Sequence, residues 1–545
     1  MGEGKKLLFE PSFNRAVKVR GGQDRLTSDA GTLLLREADH RLGLTQSLAA
    51  QLYDRRHPDH IRYTLVELLR ERLYAMAQGY DAQDDVDELA HDPAMRLATW
   101  DRPGKRVQEE RLASQPTQSR LLTALGNYKP NTERLRETLA DWSGRHLRAT
   151  GNDHTARRIT IDIDSLPIQA YGSQAGVKYN GYYHEEVFHP LVASYTVGGD
   201  YDGFQNGLRL GQGFIHAVLR AGNVHTASGA KRFFLETARK AKQLGYVAEM
   251  RFDAGFAEGP ILDLLTEENI PFLSRLKANA RLQDLAAPYL RRPVGRPPKG
   301  GREVLVELGM YQAESWRYPQ RVILVIVDCP DPKTGQLFLE PDYFFLVTSY
   351  SEEQRPAEER LERYRQRGTF EDRLGEFRQW IGPKLSSQEF ESNEATLLLS
   401  LLAFNLANML RCELEDGAGA CWDLGRFQKS VLKAGGRIVK KAGRVILDLA
   451  VAVVPLWERL VARLGRWQLP SRFPAPRRPA YRPFMPPQNM PSSRGSSVNE
   501  NRPIRTSLPT AARAGRGERG DCVLVARSRP PIRSPVRKSQ RPTCW

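Results

Sequence analysis

From Arg157 onward the chain alternates strand patterns with helix patterns, and this order restricts the fold more than any other feature. The segment RRITIDIDS, residues 157–165, alternates apolar and polar residues as a half-buried strand does. Six further segments continue the series as strand, strand, helix, strand, helix and strand: 187–197, 213–220, 225–245, 247–253, 258–269 and 271–276. The alternation predicts an α/β core around a central sheet.

The segment before this core carries helix patterns and no strand alternation from about residue 29 to residue 148. It also carries Arg106, Arg111 and Arg120, which are suited to contacts with DNA. We therefore expect residues 1–150 to form an all-α domain. Recognition of DNA ends is the favoured role for this domain, and dimerisation or packing is the alternative.

Two further regions have a different composition. Residues 280–351 hold three β-rich runs separated by proline and glycine stretches, which we interpret as a β-rich insertion in the core. The first part of the core then covers 151–279, and its remainder with C-terminal helices covers 352–466. Residues 467–545 are rich in Pro, Arg and Ser without apolar periodicity, so we expect a basic disordered tail.

The positive charge of the chain is concentrated in that tail. The net charge is +17, and residues 471–545 hold 16 of the 81 Lys and Arg but 3 of the 64 Asp and Glu. The total charge suggests a polyanionic partner. It says little about the rest of the chain, where any DNA-binding surface must come from local clustering.

The cysteines and apolar runs favour a cytoplasmic protein without a membrane segment. The five cysteines form no CxxC pair, which favours a reducing compartment over a disulfide framework or zinc site. The first residues lack a signal-peptide pattern. The best apolar run, 397–410, is short for a membrane span and contains Asn405 and Asn408. The histidines lack a metal-binding spacing, so we assign them no ligand role.

Carboxylates follow two of the predicted core strands. Asp162 and Asp164 share one parity on the first strand, and Asp253 ends a later one. Ligand sites in α/β sheets lie beyond the carboxyl ends of strands, and acids on separate elements can hold two Mg²⁺ ions. Ordinary capping or turn chemistry is the alternative for each aspartate taken alone.

A third acidic position lies in RYRQRGTFEDRLGEFR, at residues 363–378. On one helix Arg367, Glu371 and Arg378 would fall within roughly 60° of Tyr364, because each residue advances by about 100°. Such a face offers a carboxylate to a metal and guanidiniums to phosphate. An exposed, salt-bridged helix face is the alternative. A helix start at Thr369 would leave Tyr364 and Arg367 on the preceding turn.

The order of these motifs resembles the DDE transposases of bacterial insertion sequences. It runs from Asp-Ser on the first core strand through Asp-x-Gly-Phe and the β-rich segment to Tyr-x2-Arg-x3-Glu-x6-Arg. The cut-and-paste branch with a Tyr-Arg-Glu-Lys signature and a β-strand insertion is the most similar in pattern. The resemblance covers roughly residues 20–465 and extends to LASQPTQSRL and NGYY.

The resemblance implies a ribonuclease-H-like core whose catalytic, metal-binding triad is Asp164, Asp253 and Glu371. Asp164 is preferred over Asp162 because it precedes Ser165, as the first acid of the family often precedes a small hydroxyl residue. The implied cofactor is Mg²⁺, with Mn²⁺ as the alternative ion. The implied activity is cleavage of double-stranded DNA at terminal inverted repeats and joining to target DNA, by a homodimer on DNA.

The resemblance also suggests residues that contact DNA. Tyr364, Arg367 and Arg378 belong to the signature, although Arg378 stands where the family usually has Lys and binds phosphate with a different geometry. Trp316 would stack on a flipped base, unless it is a packed sheet aromatic. Lys277, together with Arg275, would contact phosphate, unless the loop is simply solvated. A catalytically decayed, DNA-binding-only derivative is the alternative function.

Overall fold

The computed structural model describes residues 7–9, 19–20, 25–101, 111–151, 157–170, 172–198, 204–205, 208–209, 211–292, 301–330, 340–414, 422–441 and 444–467. The predicted disordered tail, apart from Trp467, lies outside the described residues. Arg106 lies outside them as well.

Helices occupy most of the described chain before residue 150 and after residue 350. The helices are α1 (Thr32–Leu42), α2 (Leu44–Gln51), α3 (Leu65–Ala77), α4 (Asp85–Leu89), α5 (Pro93–Thr99), α6 (Gln115–Gly126), α7 (Lys129–Ala149), α8 (Ala230–Lys242), α9 (Gly259–Glu267), α10 (Ala280–Ala286), α11 (Ala357–Arg365), α12 (Gly368–Glu376), α13 (Phe390–Cys412), α14 (Leu424–Phe427) and α15 (Val454–Leu464). Single turns of π-helix follow α12 and α14, at Phe377–Ile381 and Gln428–Leu432.

Strands dominate the middle of the chain. They are β1 (Leu7–Phe9), β2 (Val19–Arg20), β3 (Leu26–Thr27), β4 (Arg158–Ser165), β5 (Ile168–Gln169), β6 (Lys178–Asn180), β7 (Glu185–Phe188), β8 (Leu191–Gly198), β9 (Phe204–Gln205), β10 (Leu208–Arg209), β11 (Gln212–Val218), β12 (Tyr246–Phe252), β13 (Phe272–Leu276), β14 (Arg302–Tyr311), β15 (Gln320–Asp328), β16 (Asp342–Thr348), β17 (Gly436–Lys441) and β18 (Arg444–Leu449).

An eight-stranded sheet forms the centre, in the order β11-β8-β4-β12-β13-β16-β15-β14. The strand patterns at β4, β8, β11, β12 and β13 are confirmed, as are the helices α8 and α9 between them. β4 is antiparallel to β8, whereas β12 runs parallel to both β4 and β13. Because side chains alternate along β4, Ile159, Ile161 and Ile163 all point into one apolar core. Asp162 and Asp164 therefore lie on the opposite face of the strand.

The three β-rich runs of the segment 280–351 are β14, β15 and β16, and they continue the central sheet. β16 pairs antiparallel with β13, where Leu273 lies opposite Thr348. The shared surface buries Leu273 with Ile323 and Leu346 in a cluster under α11. The edge of β13 is thereby covered by hydrogen-bonded backbone, which is the ordinary way to satisfy an edge strand.

The predicted helices before residue 150 are present, and they surround α13. The expectation of an all-α domain over residues 1–150 was wrong, because the strands β1, β2 and β3 lie within it and β3 pairs with β17. α13 shares a core cluster with residues from α1, α3, α6 and α7 and from β11. Among the described helices, α13 alone is long and apolar enough to cross a membrane, and its apolar window is wholly buried in protein. This burial is the environment of a core helix, which explains why Asn405 can hydrogen-bond the backbone of Phe214 on β11.

The expectation of helices throughout the C-terminal part was wrong for residues 436–449. These residues form the hairpin β17–β18, and β17 pairs with β3. RVILDL alternates between more exposed and less exposed side chains, and Ile438 on the facing strand is fully buried. The period of two, rather than the basic character of the segment, decides its structure.

Candidate active site

The carboxyl ends of β4 and β12 bring Asp164 and Asp253 to one edge of the sheet. Phe252 lies opposite Ile163 in the parallel register, so the next residue on each strand is an aspartate. Asp253 is close enough to Asp164 to influence its pKa. The fold therefore places these two acids at the ends of neighbouring strands, as the sequence predicts.

Ion pairs hold α11 against the sheet beside this edge. Arg363 Nε donates to Glu249 Oε2 of β12 at 2.9 Å, and both side chains are buried. Arg251 Nη1 of the same strand donates to the carbonyl oxygen of Arg363 at 2.7 Å. Tyr364 is 9% exposed and packs in the cluster under α11, so its ring is part of the anchor. These contacts determine where the chain leaves α11.

The signature segment is split into two helices rather than forming one face. α11 ends at Arg365 and α12 starts at Gly368, so Tyr364 and Glu371 lie on different helices with Arg367 between them. The second helix begins one residue before the alternative start at Thr369, whose hydroxyl donates to the carbonyl oxygen of Gln366. The one-helix geometry is therefore replaced by a turn at Arg367.

A separate set of hydrogen bonds orients α12. Arg373 Nη1 donates to Ser194 Oγ at 2.6 Å, and its Nη2 donates to Gln212 Oε1 at 2.6 Å. Ser194 lies on β8 and Gln212 on β11, so this buried guanidinium ties the helix to the antiparallel side of the sheet. Glu371, in the first turn of α12, consequently projects from a fixed helix.

Arg367 joins the two halves of the site. Its Nη1 donates to Glu371 Oε1 at 2.5 Å, and its Nη2 is ion-paired with Asp164 Oδ2. Asp164 and Arg367 are 203 residues apart in the sequence. The carboxylates of Asp164 and Glu371 therefore lie within the span of one guanidinium group.

The charges in this cluster influence one another. Burial raises the pKa of Asp164 above its ordinary value and Asp253 adds to the rise, while Arg367 and the N–H of Ser165 oppose it. Burial alone would lower the pKa of Arg367, but its attraction to Asp164, Tyr364 and Glu371 raises it. Burial raises the pKa of Tyr364 to about 12, so this hydroxyl stays protonated at neutral pH.

Asp162 has a different environment although it is two residues from Asp164. Its side chain is 1% exposed and its two oxygens accept hydrogen bonds from Arg251, at 2.7 Å from Nε and 2.8 Å from Nη2. A bidentate pair of this kind occupies both oxygens of the carboxylate. The geometry supports Asp164 as the available acid and gives Asp162 a structural partner.

The donor set suits a hard divalent cation, because Asp164, Asp253 and Glu371 offer carboxylate oxygens. The carboxylates of Asp164 and Glu371 already converge on one cation, the guanidinium of Arg367, which supports this fit. Within the described parts of the chain, no three His, Cys, Asp or Glu side chains gather closely enough to hold one ion. A metal would therefore need Glu371 or Asp253 to move towards Asp164.

The sequence from residue 9 to residue 468 matches the model of the family described as Transposase DDE domain group 1. The chain belongs to this family of DDE transposases. Membership supports a transposase function and suggests an enzyme of the nuclease or transferase type, and the family generally uses divalent metal ions. No match was found among curated proteins.

Two more side chains of the transposase are linked to this site, Tyr183 through Asp164 and Arg378 through Tyr183. Arg378 is exposed in the π-helical turn after α12. The hydroxyl of Tyr183 is hydrogen-bonded to Ser165 and interacts electrostatically with Asp164 and Arg378, while burial raises its pKa. Sequence reasoning gave Tyr183 no role, although its segment NGYY follows β6 at a turn and already carried part of the resemblance.

The remaining predicted DNA contacts differ in accessibility. Lys277 is exposed directly after β13, which runs parallel to β12, so it lies at the same sheet edge as Asp253. Arg275 is exposed and its guanidinium lies 4.2 Å from the ring centre of Phe344. Trp316 is 6% exposed and meets Tyr311 edge-on at 5.6 Å, so the geometry supports the packed-aromatic alternative.

Two of the N-terminal arginines that we expect to contact DNA, Arg111 and Arg120, lie on the surface of the transposase. Arg111 is half-exposed and lies 3.7 Å from Asp87, and Arg120 is exposed and donates to Thr117 Oγ1 at 3.3 Å. Neither contact buries the guanidinium. Both side chains are accessible to a phosphate, and DNA recognition by this region stays a prediction.

Proposed function

We propose that this transposase cleaves DNA at the ends of an insertion sequence and joins the freed 3′-OH to target DNA, with Asp164, Asp253 and Glu371 as its catalytic acids. The observation that carries the proposal is the bridge of Arg367 between Asp164 and Glu371. It brings an acid of the first core strand and the signature glutamate to one cation. If the signature were only an exposed, salt-bridged helix face, its side chains would not contact an acid on β4.

The order of strands in the central sheet supports a ribonuclease-H-like core and the branch with the Tyr-Arg-Glu-Lys signature. Strands β11-β8-β4-β12-β13, with the first three antiparallel and the last two parallel to β4, have the order and directions of a ribonuclease-H-like core. We assign β14–β16 as the insertion between Asp253 and Glu371. This arrangement, with Tyr364, Arg367 and Glu371 in their signature spacing, favours the branch with the Tyr-Arg-Glu-Lys signature.

Asp164, Asp253 and Glu371 would hold Mg²⁺, or Mn²⁺ in its place, which when bound lowers the pKa of water and neutralises charge developing on the phosphate. In the first step the oxygen of water forms a bond to phosphorus and the 3′-oxygen of the element leaves. In the second step that 3′-OH attacks a phosphorus of the other strand or of target DNA, so that a new phosphodiester bond forms while the 3′-oxygen of the attacked strand leaves. The first step hydrolyses one phosphodiester, and the second exchanges one phosphodiester for another.

The cationic side chains position the DNA strand in this proposal. Arg378 and Lys277 are exposed and are suited to phosphate oxygens, Arg378 through a bidentate contact. The protonated hydroxyls of Tyr364 and Tyr183 can donate hydrogen bonds beside the same acids. Because Trp316 is buried, we leave it out of the proposed DNA contacts.

The partners follow from the reaction. Cleavage at both ends of an element requires two inverted repeats to be held together, so we propose a homodimer on double-stranded DNA. The cleavage and joining reactions would take place in the cytoplasm, on DNA of the nucleoid. The exposed Arg111 and Arg120 of the helical region are candidates for end recognition.

The test compares Glu371→Ala with Asp372→Ala, a neighbouring exposed carboxylate on the same helix. We expect Glu371→Ala to abolish Mg²⁺-dependent nicking of inverted-repeat DNA and to leave DNA binding intact, while Asp372→Ala retains nicking. Full activity in the first variant would overturn the assignment. Binding of the ends by the unmodified chain, without any product, would instead identify the decayed, DNA-binding-only derivative.

A further inference from the structure

We infer that Arg367 is an internal counter-ion that holds Asp164 and Glu371 in the metal-free protein and exchanges Glu371 for a DNA phosphate when a divalent cation binds. The inference rests on the proposed function, since it concerns the same acids. It adds an exchange of partners that links cation binding to DNA binding. In this role Arg367 is a positioning residue.

The two ion pairs of Arg367 differ in exposure, and this difference decides which one opens. The side chain of Arg367 is 7% exposed and that of Asp164 is 23% exposed, whereas that of Glu371 is 62% exposed. Exposed ion pairs contribute little because water screens them, and more buried pairs are harder to break. The contact with Glu371 is therefore the one that an incoming cation would replace.

Electrostatics requires a change of partner at Arg367. A divalent cation bound by the oxygens that now accept from the guanidinium would lie next to a like charge in a partly buried site. When the cation takes Glu371, the Nη1 of Arg367 loses its acceptor and becomes a donor for a phosphate oxygen beside the acids.

The same side chain also has a role while no cation is bound. Asp164, Asp253 and Glu371 are like charges at one edge, and Asp253 already acts to raise the pKa of Asp164. Arg367 compensates this repulsion and holds α12 near β4 through its two contacts. Removing it should leave the acids without a competitor for the cation.

The exchange makes cation and DNA binding reciprocal. A phosphate that draws Arg367 away from Glu371 releases a ligand for the cation, and a cation that takes Glu371 releases a donor for the phosphate. Thermodynamic linkage requires the two effects on affinity to be equal. We therefore expect DNA to lower the Kd for the cation in the unmodified transposase.

The test measures Mn²⁺ binding by titration calorimetry, without DNA, for the full chain and for Arg367→Gln. We expect the variant to bind Mn²⁺ roughly tenfold more tightly, because a competing charge-assisted hydrogen bond has been removed. The matched control is Arg365→Gln, which removes a charge from the end of α11 but breaks a pair with Glu303 of β14. Its Kd for Mn²⁺ should stay within about twofold of the unmodified chain, since Arg365 touches none of the acids.

A second variant keeps the test decisive if Arg367→Gln does not fold. Arg367→Lys retains the charge but lacks the fork that spans two carboxylates, so its Kd should lie between the other two. Addition of inverted-repeat DNA should lower the Kd for Mn²⁺ in the unmodified chain and much less in either variant.

An unchanged or weaker Mn²⁺ affinity in folded Arg367→Gln and Arg367→Lys would overturn the inference. That result would leave the proposed function standing if the unmodified chain still nicks DNA and Glu371→Ala does not. Absence of Mn²⁺ binding together with absence of nicking in the unmodified chain would overturn both.

Discussion

At the scale of single residues, Asp162 and Asp164 show how two acids on one strand acquire different roles. Asp162 is enclosed with Arg251, which in turn donates to the backbone of α11. Asp164 remains partly accessible at the strand end and contacts Arg367. A buried charge that loses its partner is costly, whereas a partly exposed one can be hydrated.

This difference predicts that two similar substitutions differ in their effects on stability and on activity. Asp162→Asn should lower the free energy of unfolding by about 3 kcal/mol, because it leaves Arg251 buried with a neutral partner. Asp164→Asn should cost about 1 kcal/mol or less, since Arg367 keeps Glu371, yet it should abolish DNA nicking. Urea unfolding and a nicking assay measure the two effects. Equal losses of stability would contradict the structural assignment of Asp162.

At the scale of elements, α3 buries charged side chains in the middle of the helical region. Glu71 is 1% exposed, and its Oε2 accepts from the N–H of Ala113 at 3.2 Å and from Gln118 Nε2 at 3.0 Å. Burial raises the pKa of Glu71 to about 8, although these hydrogen bonds and Arg72 act to lower it. The element is thus packed around a carboxyl group that is largely protonated at neutral pH.

A raised pKa in the folded state makes stability fall as the pH rises. The contribution of Glu71 is complete below its ordinary value of 4.5, falls as the pH increases, and is lost above about 8. Glu71→Gln resembles the protonated form, so the unfolding temperature of this variant should depend less on pH between about pH 5 and about pH 8. Thermal unfolding across this range measures the effect, and an unchanged slope would contradict it.

At the scale of the whole molecule, the match to the transposase family ends at residue 468, just before the most basic part of the chain. Residues 471–545 carry 16 Lys and Arg against 3 Asp and Glu. Contacts of such residues with phosphate release counter-ions, so they strengthen DNA binding without regard to sequence. The acids and Arg367 all lie within the family match.

Removal of residues 468–545 should therefore weaken the binding of random DNA without preventing the reaction at inverted repeats. We expect the shortened chain to bind random DNA more weakly, with the slope of log K against log salt reduced by several units, roughly one per lost phosphate contact. Mg²⁺-dependent nicking at inverted repeats should persist. Binding at several salt concentrations tests the first part, and loss of nicking in a folded product would show that the tail contributes to the reaction.

The structure also shows where local patterns stop being sufficient. The period of two in 157–165 and the helix period in 225–245 correctly predicted β4 and α8. At 436–449, within the segment where C-terminal helices were expected, pairing of β17 with β3 stabilises a hairpin instead. Trp316 stands in a polar loop in the sequence, yet it is buried against Tyr311, because burial depends on neighbours that are distant in the chain.

The sequence by itself determined the strand and helix periods, the order of Asp164, Asp253 and Glu371, and their place at element ends. These properties depend on residues close together in the chain, so they can be read locally. The tertiary structure decided that Asp162 pairs with Arg251, that the signature breaks into two helices, and that Arg367 reaches Asp164. These contacts arise because packing of α11 and α12 on the sheet brings together side chains that are up to 203 residues apart.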